Sequence, residues 1–403
     1  MSTESKSPRF LYFDNLKILF VLLVIFQHAA ITYGVMGWWY YIVKTDEYIN
    51  EIIPADPISP IAFLLLTLLG GLFQASLMGL FFLMGGYFTP RSYDRKGVVL
   101  YWKERLIRLG IPLALYIVIV DPIMVYSLAL LGIKPWSTYS SLQGSFLDFY
   151  LSRFQSFDGI IDFFSSTGPM WFLTVLLILT AGYTLWRQII KAETLKKYVK
   201  GEYTIPSYLK LLLLGIILGI FTFVVRLFFP IGEVTLGIPF AFSIQYAMMF
   251  IVGVISFRND WFQKVTSSQI KQWVITISAL VIFFTLYIIL ALALAGEQAF
   301  NDLQGGFTLS SLIFSVVDNI ICIAMIFVLI PLFRARFNNQ GNIIRNLSDN
   351  AYHMYLVHAP LLVIVSLAVA AISLPSLAKL IIVYPLAVIF CFLFSHYALR
   401  KIL

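Results

Sequence analysis

Long apolar segments recur along the whole chain, and each is about as long as a bilayer's hydrocarbon core requires. A transmembrane helix needs roughly 20 apolar residues, whereas a strand of an outer-membrane barrel needs about ten residues of alternating polarity. The segments here are of the first kind, and only 12% of the 403 residues are charged. In soluble domains about a quarter of the residues are charged. The sequence therefore predicts an all-α, polytopic transmembrane bundle that forms a single domain, residues 1–403.

Ten spans are predicted, separated by polar connections. They cover residues 10–36, 60–88, 107–132, 169–190, 208–229, 239–257, 272–295, 309–333, 350–372 and 377–399. Every second connection is rich in lysine and arginine, and the connections between these are richer in acids. The positive-inside rule then places both termini in the cytoplasm, and we expect a multi-pass protein of the cell membrane, plasma or inner. This orientation accounts for the net charge of +8, so we expect no nucleic-acid partner. The long outer connections near 37–59 and 133–168 either cover a pocket or serve as simple connectors.

His28 lies in the middle of the first span, and Lys17 lies at the start of the same apolar run. Ionisable residues within a membrane span are costly and by default indicate a functional site. The two residues are eleven positions apart. Because this is close to three helical turns, they project from one face, roughly 16 Å apart along the axis. A cation near one membrane surface is thus aligned with an imidazole near the midplane.

Arg105 and Arg108 stand where the basic connection 89–104 enters the third span. Side chains at i and i+3 share a helix face, and two neighbouring planar guanidiniums are suited to binding phosphate. The alternative is a pair of anchors that extend to lipid headgroups. Lys17 lies on the same side of the membrane, which favours a polyanion site.

The ninth span places Tyr355 and His358 on one helix face, with His358 about 11 Å into the membrane from the inner side. In the eighth span, Asp318 lies at a depth similar to that of His28. A carboxylate at this depth needs a partner, and one bonded to His28 would fix its tautomer and raise its basicity. The alternative is a polar clasp between helices formed by Asp318 and Asn319.

Other ionisable or metal-binding side chains indicate no further chemistry. Asp121 and Arg226 are buried-charge candidates nearer the outer side, and the sequence assigns neither a role. Cys322 and Cys391 both lie in apolar runs and are predicted to be reduced core residues, with no metal site.

Taken together, these motifs resemble the acyltransferase-3 family of polytopic membrane O-acyltransferases over nearly the whole chain. The resemblance rests on Tyr12-Phe-Asp14-Asn-Leu-Lys17 with ten residues to His28, on Phe81-Phe-Leu-Met-Gly85-Gly86-Tyr-Phe, on Arg105 and Arg108, on Trp171-Phe-Leu, and on Ser348 followed by Tyr355-Leu-Val-His358. The family usually has arginine at position 17. Lysine keeps the charge there but loses the bidentate fork. The stretches around Gly86 and 102–112 loosely resemble the glucan-succinylating branch.

The resemblance implies transfer of an acyl group, such as acetyl or succinyl, from cytosolic acyl-CoA to a hydroxyl of an extracytoplasmic glycan or lipid-linked sugar. CoA phosphates at the three inner cations and a pantetheine arm reaching His28 would fit this reaction, with His28 as general base or transient acyl carrier. The expected site residues are His28 for catalysis, with Asp318 added from its depth alone, and Lys17, Arg105, Arg108, Tyr355, His358 and Trp171 for binding the acyl-CoA, with no metal.

Two other classes compete with this interpretation. A proton-coupled secondary transporter would use His28 and Asp318 as a proton relay, but the sequence lacks the paired, interrupted helices typical of such transporters. A flippase would use the same basic residues to bind the pyrophosphate of a lipid or glycan. Binding of acyl-CoA distinguishes the transferase from both.

Overall fold

The structure is a computed structural model that describes residues 10–33, 39–42, 59–133, 144–190, 203–296 and 298–401. Over these residues the regular structure is helical and contains no strand, which confirms the all-α polytopic bundle. The α-helices of seven or more residues are α1 Leu11–Thr32, α2 Ser59–Arg105, α3 Asp121–Leu130, α4 Phe146–Ser152, α5 Phe157–Ser165, α6 Trp171–Ile189, α7 Tyr208–Arg226, α8 Ser243–Asn259, α9 Ser267–Ala295, α10 Gln298–Gln304, α11 Leu309–Arg336, α12 Asn342–Ala370 and α13 Ser376–Tyr397. Long helices are expected because backbone N–H and C=O groups in hydrocarbon must bond within the protein.

The second and third predicted spans lie in one helical stretch, in which two helices join at a kink. In the part of the chain that the structure describes, nine helical stretches are long and apolar enough to cross a membrane, and the longest runs from Leu77 to Leu130. The connection predicted over 89–104 is therefore mostly helical rather than an irregular loop. The chain nevertheless reverses at Gly97, where φ is 70° and ψ is 173°.

Contacts on either side of Gly97 establish this reversal. Arg105 Nη2 donates a hydrogen bond to Thr89 Oγ1 at 3.2 Å, although the two residues are 16 positions apart. A straight helix would separate their backbones by about 24 Å. The positive φ at Gly97 suits glycine, which has no Cβ to clash. The second and third predicted spans are thus the two arms of a helical hairpin that turns at Gly97.

Helices α2 and α8 pack unusually closely through glycines. A Cβ added at Gly86 would lie 2.0 Å from the carbonyl oxygen of Phe250, and one at Gly253 would lie 2.1 Å from that of Leu83. Small residues allow helix backbones to approach this closely in membranes. This contact fixes the position of the segment of α2 just before Thr89. Because Thr89 accepts the hydrogen bond of Arg105, the contact also helps to position Arg105.

The interior of the bundle is formed by helices that carry the candidate site residues. The most apolar 18-residue window of α11 is 67% buried and that of α1 is 61% buried, compared with 6% for α9. Helix α9 therefore lies at the perimeter, whereas α1 and α11 lie in the centre. Helix α12 packs against α1, which brings the ninth predicted span beside the first.

Candidate active site

Two histidines from distant parts of the chain form a pair in the centre of the bundle. His28 of α1 and His358 of α12 approach at 3.1 Å between Nδ1 and Nε2. Their rings are nearly parallel, with centroids 5.1 Å apart and an interplanar angle of 22°. His358 is completely buried. The sequence predicts each histidine as a site residue, but assigns His358 to acyl-CoA binding; the structure bonds it directly to the predicted base.

The hydrogen bonds around the pair determine which ring nitrogens carry protons. His358 Nδ1 faces the carbonyl oxygen of Tyr355 at 2.5 Å, and because a carbonyl only accepts, Nδ1 donates. A neutral imidazole has one N–H, so His358 Nε2 is the acceptor and His28 Nδ1 is the donor. This assignment follows from the network rather than from visible hydrogens. His28 Nε2 therefore keeps its lone pair, which is the state that a general base requires.

Tyr355 attaches α12 to the start of α6 beside this pair. Its hydroxyl donates to the carbonyl oxygen of Pro169 at 2.6 Å, and its ring stacks near that of His358, with centroids 5.5 Å apart. Trp171 begins α6 two residues later and stacks on Tyr246 at 5.4 Å. Tyr355 thus orients the pair through its carbonyl and joins it to the helix that carries Trp171.

A cavity of about 650 Å³ adjoins His28. Its wall includes Gln27, Gln74, Asp121, Asp162, Glu233, Gln304 and Asp318, together with Trp39, Tyr40, Trp171, Phe172, Phe242, Phe284, Phe300, Phe314 and Tyr355. Residues of α1 contribute from Val24 onward, so the cavity extends from His28 toward the side opposite Lys17. His28 forms part of the wall, whereas His358 does not line the cavity and is hydrogen-bonded to His28. The cavity therefore reaches the base from the predicted outer side, and its wall includes residues from the outer connection predicted near 133–168.

Asp318 does not bond to His28, so the predicted pairing is wrong. Its Oδ2 accepts from Arg226 Nη2 at 2.8 Å, and both side chains are almost fully buried. A buried guanidinium without a counter-charge is strongly destabilising, whereas a neutral imidazole needs only a hydrogen-bond partner. Asn319 donates to Thr222 Oγ1 at 3.1 Å, so α11 and α7 are joined by the polar clasp that was the alternative interpretation. The proposed relay from His28 to Asp318 is not formed among the described residues.

Lys17 and Arg105 each contact one of two neighbouring residues of α2. Lys17 Nζ lies 3.1 Å from Asp14 Oδ1 and 5.0 Å from the ring centroid of Phe88. Arg105 bonds to Thr89, the next residue along α2, at 3.2 Å. The structure therefore brings these two predicted cations to the same region, on the opposite side of His28 from the cavity.

Arg108 belongs to the same end of the bundle but is more accessible. It lies in the π-helical turn Leu106–Gly110 and is exposed, whereas Arg105 is half-buried. The carbonyl oxygen of Arg108 accepts a hydrogen bond from the hydroxyl of Tyr352. Because Tyr352 precedes His358 by six residues, α12 rises about 9 Å from this contact to the histidine pair. We call the three cations at the predicted cytoplasmic end, Lys17, Arg105 and Arg108, the inner mouth.

Trp39 is a site residue that the sequence analysis does not identify. Its indole stacks on the imidazole of His28, with ring centroids 4.0 Å apart and an interplanar angle of 15°. The only signal in the sequence is an aromatic run just after the first span, and such residues are typical of interfacial belts. This described part of the outer connection near 37–59 covers the pocket, which was one of the two alternatives.

Residues 10–396 match the model of the acyltransferase-3 family, which is described as an acyltransferase domain. The matched range includes both histidines of the pair and the whole inner mouth. No curated protein and no solved structure matches the chain.

Proposed function

The chain belongs to the acyltransferase-3 family and is a multi-pass membrane acyltransferase, and we propose that it transfers an acyl group from cytosolic acyl-CoA to a hydroxyl of an extracytoplasmic glycan or lipid-linked sugar. The single observation that carries the proposal is the histidine pair, which leaves a proton-accepting nitrogen at the wall of a cavity. Acetyl and succinyl are the acyl groups to test first, and the cell membrane is the proposed location.

The donor is proposed to bind at the inner mouth. CoA carries several phosphates, and lysine and arginine bind phosphate through charge-assisted hydrogen bonds. Lys17 and Arg105 contact the neighbouring residues Phe88 and Thr89 of α2, and Arg108 adds an exposed charge three residues after Arg105. Along α1, Lys17 and His28 are separated by about 16 Å, a distance that the extended pantetheine arm can bridge. The thioester carbon would then lie beside His28.

The chemical step uses only the histidine pair and the two substrates. His28 Nε2 takes the proton from the acceptor hydroxyl while its oxygen attacks the thioester carbonyl carbon. The tetrahedral intermediate collapses, the C–S bond breaks, and the resulting imidazolium of His28 returns the proton to the departing thiolate sulfur. Throughout, His28 Nδ1–H donates to His358 Nε2, which stabilises the transient positive charge. His358 is therefore a positioning residue that acts through His28.

The acceptor is proposed to occupy the cavity on the outer side of His28. Its wall combines aromatic rings with carboxylate and amide side chains. Aromatic faces can pack against the C–H faces of a sugar ring, and carboxylates and amides can hydrogen-bond to its hydroxyls. A volume of about 650 Å³ lies within the usual range of roughly 300–1,000 Å³ for small-molecule sites. This supports a monosaccharide or disaccharide unit as the part of the acceptor that enters.

The test uses the full chain reconstituted in nanodiscs. Radiolabelled acetyl-CoA or succinyl-CoA is supplied with methyl glucosides or with surface glycans purified from cells that lack the gene, and transferred label is measured. We expect transfer by the wild type and none by His28→Ala, with full transfer by His396→Ala, a matched histidine on α13 outside the cavity. A folded wild type that neither binds acyl-CoA nor transfers label with any acceptor would refute the proposal.

A further inference from the structure

Trp39 covers one face of the proposed base and is itself almost fully buried. The indole lies 4.0 Å from His28 between ring centroids and 6.0 Å from His358, so the three rings form one stack. Trp39 is 4% exposed and forms part of the cavity wall. A ring in this position restricts His28 to one orientation and excludes water from its face.

The indole Nε1–H of Trp39 has no hydrogen-bond acceptor among the described residues. Burying a donor without a partner costs about 1–3 kcal/mol, so such groups are rare and need an explanation. Two other buried donors of the cavity wall are satisfied: the Tyr40 hydroxyl donates to Asp121 at 2.6 Å, and the Tyr355 hydroxyl donates to Pro169. Trp39 therefore contributes a buried, unsatisfied donor beside the base, in a residue that lines the cavity.

The neighbouring residue, Tyr40, anchors this part of the chain and packs its ring edge-on against the Trp39 indole, with centroids 5.6 Å apart. Tyr40 donates to Asp121 Oδ1 and accepts from the hydroxyl of Tyr116 at 3.0 Å. Burial, reinforced by the Asp121 carboxylate, raises the pKa of Tyr40 well above its ordinary value, so the phenol stays protonated and keeps donating. A donor whose position is fixed before substrate binds needs no reorganisation during reaction, and this is what makes preorganised donors effective in catalysis.

We propose that the indole N–H of Trp39 donates a hydrogen bond to the acyl carbonyl oxygen of the donor as that oxygen gains negative charge. The proposal rests on the acyl transfer proposed above and assigns to it a second catalytic residue. When the acceptor oxygen attacks, the carbonyl π electrons move onto the oxygen that Trp39 contacts. When the C–S bond breaks, the electrons return and the hydrogen bond weakens. No proton leaves the indole at any stage.

The test removes this one N–H and keeps the shape of the ring. Trp39 is replaced by 3-benzothienylalanine through an amber codon, which puts sulfur where the indole nitrogen was; Trp39→Phe is a second variant. The same analogue at Trp273 is the matched control, because that indole is also fully buried and unpaired but does not line the cavity. Transfer of label from acetyl-CoA to a methyl glucoside is measured in nanodiscs.

We expect the sulfur analogue at Trp39 to lower kcat by about 10²–10³-fold, the usual effect of losing one oxyanion donor. The KM for acetyl-CoA should be unchanged, and the Trp273 analogue should retain wild-type turnover. Wild-type kcat with sulfur at position 39, or a rise in acceptor KM alone, would overturn the assignment. Either result would leave His28-dependent transfer intact, and so would be distinguishable from failure of the proposed function, in which the wild type itself transfers nothing.

Discussion

Replacing His358 by leucine tests whether the second imidazole holds the base in its active tautomer. The leucine side chain fills much of the same volume in a fully buried position but leaves His28 Nδ1–H without the acceptor that now lies 3.1 Å away. An unpaired buried donor costs about 1–3 kcal/mol, and because each 1.36 kcal/mol changes a rate tenfold, kcat should fall by roughly 5- to 160-fold. The KM for acyl-CoA should not change, since His358 does not line the cavity or the inner mouth.

His358→Gln is the matched rescue variant. Its amide oxygen can take the place of Nε2 and accept from His28 Nδ1–H, so we expect most of the lost turnover to return. Initial rates of label transfer in nanodiscs are measured together with thermal unfolding, which verifies that both variants are folded. A folded leucine variant with wild-type kcat, or a glutamine variant as slow as the leucine variant, would refute the tautomer argument.

Three further outcomes are expected. Lys17→Ala should raise the Kd for acyl-CoA about 10- to 160-fold, since a charge-assisted hydrogen bond is worth about 1.5–3 kcal/mol, whereas Lys17→Arg should bind as well or better; unchanged affinity in the alanine variant would remove Lys17 from the site. Asp318→Asn should destabilise the protein by about 3–5 kcal/mol, because it leaves Arg226 buried and unpaired; thermal unfolding measures this, and lost turnover with wild-type stability would restore the predicted catalytic role. A reporter at the C-terminus should be cytoplasmic and one inserted at Asp158 external, and the opposite result would reverse the direction of transfer.

The membrane spans follow from hydropathy because the change from polar to apolar residues is abrupt. The eighth span was predicted over 309–333, and the structure has Leu309–Arg336. The hairpin in α2 was not predicted, because a run of charged residues indicates water but does not distinguish a polar helix from a loop. The reversal depends on the single glycine at position 97, whose positive φ leaves no periodic signal in the sequence.

The site was only partly predictable because hydropathy places a residue along the membrane normal but not within the plane of the membrane. It gives the depth of a residue but neither the direction it faces nor the helix beside it. His28 and Asp318 share a depth, and the sequence analysis therefore pairs them; Asp318 in fact faces Arg226 on α7. His28 meets His358, 330 positions away, because α1 packs on α12. That neighbour relation is a property of the assembled bundle.

On the proposed route, the two substrates meet inside the membrane because neither crosses it. Moving an ionised group into a low-dielectric interior costs several kcal/mol or more, so the phosphates of CoA remain beside Lys17 while the uncharged arm enters. The base lies in the same interior, so His28 and its hydrogen-bond partner should carry no net charge before the reaction begins. A carboxylate beside His28 would bring such a charge, whereas a second neutral imidazole supplies the same hydrogen bond without one. The carboxylate that does lie at this depth, Asp318, is neutralised by Arg226. The same electrostatic requirement thus explains why His28 pairs with His358 and why Asp318 does not pair with His28.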